Sequence, residues 1–82
     1  MTLTPATGAY NTGYTATMQP IIQNLGPGTL YVGTSSTNLT TEGLQLTVGA
    51  VYEFPKVLVD GAGAVWMQAS GANCDVRIIN VG

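Results

Sequence analysis

The sequence predicts an all-β protein: a small antiparallel β-sandwich or barrel of six to seven short strands, with an extended N-terminal arm ahead of it. Three observations point there. From Met18 onward glycine punctuates the chain about every eight to twelve residues, the spacing of short strands joined by tight turns. Several of the runs between glycines alternate apolar and polar residues, the period of a sheet with one buried face. No segment repeats apolar residues at i, i+3 and i+4 over several turns, so no amphipathic helix is expected.

Residues 1–17, "MTLTPATGAYNTGYTAT", are rich in Thr, Ala and Gly and show no period, so they read as an extended arm separate from a domain at 18–82. Tyr10 and Tyr14 give this arm two rings of the kind found where one side of a residue is buried and the other wet. They are candidate contacts for a partner on which the arm orders.

"PIIQN" (20–24) is the first strand. Pro27-Gly28 suits the centre of a type II turn, because proline presets φ and glycine accepts a positive one. "QNLGPGTLYVG" is therefore expected to be a hairpin, with "TLYVG" (29–33) returning as a β-branched and aromatic strand. "TSSTNLTTEG" (34–43) reads as a polar loop. "LQLTV" (44–48) alternates, placing Leu44, Leu46 and Val48 on one face. "AVYEF" is a strand closed by Pro55, "KVLV" (56–59) another, and "DGAG" (60–63) a turn. "AVWMQA" (64–69) sets Val65 and Met67 opposite Trp66 and Gln68. In "NCDVRIIN" (73–80), Cys74, Val76 and Ile78 face inward while Asp75 and Arg77 face outward.

Charge is scarce. Glu42, Glu53, Lys56, Asp60, Asp75 and Arg77 are the only formally charged side chains, 7% of the chain where about 25% is ordinary. Disorder does not explain this, because disordered chains combine low hydrophobicity with high net charge. Here 45% of residues are apolar and the net charge is −2. Interface cores are depleted in Lys, Glu and Asp, and a chain of this size buries too little surface to be robust alone. Its single cysteine, Cys74, excludes an intrachain disulfide and reads as a small core hydrophobe. A shared surface, as a homo-oligomer or against a larger partner, is the support that remains.

Several function classes drop out. With no histidine, the commonest general base and the Ser-His and Cys-His nucleophile systems are missing. "DGAG" lacks the ligands of a calcium loop, and the scattered carboxylates propose no other metal. No cofactor, metal or catalytic residue is expected, and the chain does not read as an enzyme. Two basic residues leave no footprint for nucleic acid, and no apolar run reaches the ~18 residues of a membrane span. "MTLTPATGAY" has neither region of a secretory signal. Trp66 stays open: a core residue, or an aromatic at a subunit interface or glycan site.

The stretches "IQNLGPGTLYVGTSS", "EGLQLTVGAVYEFP", "GAVWMQASG" and "CDVRIINVG" together resemble small all-β modules of tailed-phage virion proteins. Asn24, Gly26, Tyr31, Val32 and Gly33 match the first part of that pattern. Gly43, Leu46, Gly49 and Tyr52 match the second, and Asp75, Val76 and Arg77 the last. The match runs from about Ile21 to Val81. The resemblance is greatest to capsid decoration (cement) proteins. The larger lambda-type members share the arm-plus-domain plan, but the body of this sequence does not match theirs.

What the resemblance implies is a structural protein on the virion's capsid exterior, made in the host cytoplasm. Its partners would be the major capsid protein and further copies of itself, with a trimer favoured. Tyr10, Tyr14, Tyr31 and Trp66 are the candidate capsid or subunit contacts, and the arm would add a strand to a capsid subunit's sheet. The alternative is a head-fibre, tail-fibre or baseplate module that recognises host surface glycan.

Overall fold

A computed structural model describes residues 1–15, 18–54 and 63–80. The expected strand "KVLV" and most of the "DGAG" turn lie outside the described residues, with Lys56 and Asp60. The described residues form six strands: β1 (Thr2–Leu3), β2 (Tyr10–Thr15), β3 (Pro20–Gly33), β4 (Leu44–Leu46), β5 (Val51–Glu53) and β6 (Ala64–Asn80). A 3-10 turn, Pro5–Thr7, joins β1 to β2, and a single helical turn, α1 (Leu39–Glu42), lies in the expected polar loop. All-β and antiparallel is what the alternation predicts, and it is what the sheet shows.

The sheet has four lanes. β3 and β6 pair along their length in the middle, β4 and then β5 run along the outer edge of β3, and β1 and then β2 along the outer edge of β6. Straight, the 17 residues of β6 would span about 56 Å at ~3.3 Å each. The longest dimension of the molecule is 34 Å, so the long strands must bend.

All four lanes break at one level. β3 and β6 slip register twice, between Asn24 and Pro27 and between Pro27 and Thr29. The outer lanes are interrupted there, between β1 and β2 and between β4 and β5. The sheet folds on this crease into two halves. One carries β5, β1 and the paired ends Pro20–Asn24 and Val76–Asn80; the other carries β4, β2 and the pairing of 29–33 with 66–70. Leu3, Ile22, Cys74 and Val76 from the first half meet Leu30, Val32, Leu46, Val65, Met67 and Ala69 from the second in one core, with Phe54. Cys74 and Val76 thus face inward as expected, with Ile78 packed partly against the core. Of the two faces of "AVWMQA", it is the one with Val65 and Met67 that turns inward.

Asn24 holds the crease. Its side chain is wholly buried. Its Nδ2 donates to the carbonyls of Gly28 (2.9 Å) and Leu46 (2.8 Å), and its Oδ1 accepts from the Gly26 N–H (2.8 Å). Its main-chain N–H donates to the Ala50 carbonyl, and its carbonyl accepts from the Gly49 N–H. One side chain therefore satisfies the main-chain groups freed where β3 changes partner from β5 to β4. Burying those groups unpaired would cost about 1–3 kcal/mol apiece.

The Gly-Pro-Gly stretch is where the structure departs most from expectation. "QNLGPGTLYVG" is not a hairpin. The backbone continues as one strand through a cis Gly26–Pro27 bond, and both flanks pair with β6 rather than with each other. Residues that suit a turn also suit a bulge: Gly26 takes φ of +83°, and Pro27 has no N–H to leave unpaired. Gly28 is required for a different reason. A Cβ there would run into the Ala72 carbonyl, because the two strands pass too closely for any side chain.

The expected short strands merge in the same way, "AVWMQA" and "NCDVRIIN" forming β6 around Gly71 at φ +82°. Of Leu44, Leu46 and Val48, only Leu46 is buried. β4 ends at Leu46, and Val48 instead lies over Gly26, where a Cβ would fall 2.8 Å from its methyl groups.

Residues 1–15 do not project as an arm. Thr2 and Leu3 pair with Asp75 and Cys74, Tyr10 and Asn11 with Met67 and Trp66, and Leu3 is a core residue at 2% exposure. A segment without a period can still be an edge strand, since only Leu3 and Tyr10 need to face inward.

Asn24→Ala should lower the free energy of unfolding by at least about 3 kcal/mol, because it orphans three main-chain groups at once; urea denaturation measures this. Gly28→Ala should cost more than Gly71→Ala, whose added methyl meets nothing within 4 Å and suffers only from its positive φ. Removal of residues 1–15 should unfold the domain, seen as collapse of amide dispersion in a proton–nitrogen spectrum. A folded remainder would show those strands to be dispensable.

Candidate functional site

The surface offers two sheet faces, a cleft and the sheet edges. The register places Trp66 beside Gly33 and Asn11 on the outer face of the second half, and Tyr31 beside Gln68 and Gln45 one rung away. Trp66 and Tyr31 are diagonal neighbours, about 7–8 Å apart at the backbone, within reach of aromatic side chains. Both are half-buried, and Trp66 is outside the core cluster. The Tyr31 hydroxyl, the Trp66 indole N–H and the amides of Gln45 and Gln68 make no hydrogen bond to other described residues. This face is thus two aromatic rings set among unpaired amide groups.

The other two candidate tyrosines do not join them. Tyr10 stands opposite Met67 and packs against the core, so its ring serves the fold of its own chain. Tyr14 is half-buried in the irregular part of β2, where its N–H donates to Thr12 Oγ1 (3.1 Å). The neighbouring Gly13 N–H donates to Asn11 Oδ1 (2.9 Å), and Thr12 Oγ1 donates to the Val65 carbonyl (2.8 Å). Local bonds of this kind occupy the donors of an edge strand and blunt it as a template for strand addition.

On the first half, the same alternation presents Ile21, Val51 and Ile79 outward with Gln23 and Arg77, around a shallow groove of about 200 Å³. Val51 and Ile79 are 56% and 60% exposed. These residues were not singled out in the sequence, although the outward positions of Arg77 and Asp75 already imply an outward Ile79. A cleft of about 380 Å³ opens between α1 and the end of β3, floored by Val32, Leu39 and Phe54 and rimmed by hydroxyl groups, with Glu42 as its carboxylate. Reading residues 34–43 as a plain polar loop missed it, since a single helical turn leaves no periodic signal.

The ionic groups are few and exposed. Arg77 lies 3.7 Å from Asp75, which is also 4.0 Å from the N-terminal ammonium; pairs this open contribute little to stability. No group of three or more His, Cys, Asp and Glu residues stands together among the described residues. No described helix is long and apolar enough to cross a membrane.

No protein-family model, no curated protein and no solved structure matches this chain.

Burial pushes the Cys74 thiol above its ordinary range, partly offset by a backbone hydrogen bond at Ser70. The folded state therefore favours the neutral thiol. A group raised on folding gives its full stability below its unfolded pKa and loses it as pH rises through the folded one. Stability should thus fall as pH climbs past the ordinary thiol range, and Cys74→Ala should flatten that fall. In the native state Cys74 should resist a thiol reagent that modifies it fully in urea.

Proposed function

We propose that this chain is a structural contact module: a capsid decoration (cement) protein of a tailed phage that binds the outer surface of the shell and stabilises it. The observation that carries the reading is the outer face of the second half. Trp66 and Tyr31 stand there with uncharged amides, the composition of an interface core rather than of a solvated surface. The sequence pattern from Ile21 to Val81 supports the virion setting. The partners of this reading are the major capsid protein and further copies of the chain.

Contact is made by sheet faces, not by an arm, because residues 1–15 are committed to the chain's own sheet. Modest contacts suffice on a shell, where repetition over a lattice multiplies them.

A second reading draws on the same two rings. Aromatic faces beside amide groups also suit a sugar, whose apolar face stacks while its hydroxyls take hydrogen bonds. In that case the chain is a fibre or baseplate module that binds host surface glycan.

Co-sedimentation with shells assembled from the major capsid protein of the parent genome separates the two. The decoration reading expects saturable binding and shells that withstand higher temperature. It expects Trp66→Ala to weaken binding at least about tenfold, the loss of a buried aromatic anchor. Shells left unchanged by saturating protein would sink it. The glycan reading expects instead that a cell-surface oligosaccharide alters Trp66 fluorescence, and a broad glycan screen without response would remove it.

A further inference from the structure

The outer face of the first half is a separate surface with a pattern of its own. Pairing fixes two rungs across it. Glu53, Ile21 and Ile79 form one; Val51, Gln23 and Arg77 form the next. The acid and the base therefore occupy diagonal corners, with Ile21 and Gln23 between them and Val51 and Ile79 at the other two corners. Glu53 has no ion-pair partner among the described residues, and Arg77 has only the exposed Asp75 at 3.7 Å.

We propose that this face is where two copies of the chain pair about a two-fold axis lying in the plane between them. Such an axis, set midway between the corners, lays Glu53 of each copy over Arg77 of the other and brings Ile21 against Ile79. The pattern is self-complementary, which is the requirement of an isologous contact. No other occupant fits as well. A nucleic acid or an anionic membrane needs a basic cluster, and Arg77 is the face's one cation among the described residues. A sugar needs an aromatic platform, and these two rungs have none.

Area sets the strength. The molecule measures 34 by 23 Å across its broadest side, so complete coverage would give only about the 800 Å² per partner of a standard interface. The patch is part of that side, so the pair belongs to the weak, concentration-dependent class. The proposal is independent of the capsid reading: the pairing face is not the one that carries Trp66, and a two-fold pair differs from the trimer that the resemblance implies.

Sedimentation equilibrium of the full chain tests it, from about 10 μM to about 1 mM, where a weak interface of this size populates. The expected mass rises from 8.5 kDa toward twice that value. Ile79→Asp, at a 60% exposed position that the fold does not need, should hold the mass at the monomer value with an unchanged circular dichroism spectrum. Glu53→Arg and Arg77→Glu should each weaken pairing several-fold. The two combined should restore it, at the same net charge of −2 as the parent chain. A monomer throughout the range, a trimer, a dimer indifferent to Ile79→Asp, or a double variant no better than the singles would each overturn the proposal. None of these results would bear on binding to shells through Trp66.

Discussion

The fold depends on Asn24. A β-sheet bent double must break its ladder somewhere, and each broken rung leaves main-chain donors and acceptors in a place that water cannot reach. Here all four lanes break at one level, and a single buried amide takes up the groups released on β3 and at the β4–β5 connection. No other side chain of this size offers both two donors and an acceptor without charge. The glycines around it work to the same end. Gly26 supplies the backbone turn, and Gly28 lets the crossing strand come close. The core forms because the crease exists: each half has one apolar face that is buried, and the other half is what covers it.

The all-β class, and which residues face inward on the second part of β6, were legible in the sequence because alternation reports burial directly. Cys74 and Val76 follow that rule. For the first part of β6, alternation separates Val65 and Met67 from Trp66 without saying which side is the core, and the structure puts Val65 and Met67 there. The connectivity was not legible. A Gly-Pro-Gly stretch signals a reversal of the backbone but cannot tell a hairpin from a bulge within a longer strand. That difference lies in a partner some fifty residues away, since Pro27 pairs with Cys74. The N-terminal segment misled for a similar reason. Edge strands need few inward residues, and Leu3 and Tyr10, on separate strands, leave no period to read. Of the four aromatic candidates, Trp66 and Tyr31 come together on one face, while Tyr10 belongs to the core.

The arrangement leaves the chain its faces for contact and closes at least one edge. Side-chain hydrogen bonds blunt β2, so strand addition there meets donors already in use. Both outer faces remain, and they differ in chemistry. One sets aromatic rings among amides; the other is aliphatic with a charge at either corner. Two surfaces of unlike character on opposite layers would let one small domain hold two different neighbours at once.

The central position of β6 also governs how the chain comes to be folded. β3 has no central neighbour until residues 64–80 exist, and among the described strands β1 and β2 pair with β6. On the ribosome, β3 can pair with β4 and β5 before β6 is made, but its other edge stays open and the core residues of β6 are missing until then. Most of the stabilising pairings are distant in sequence, which slows the search for them. The scarcity of charge then has a cost during synthesis, because little repulsion keeps the waiting chains apart. Survival of that interval is a selection pressure distinct from any acting on the finished surface.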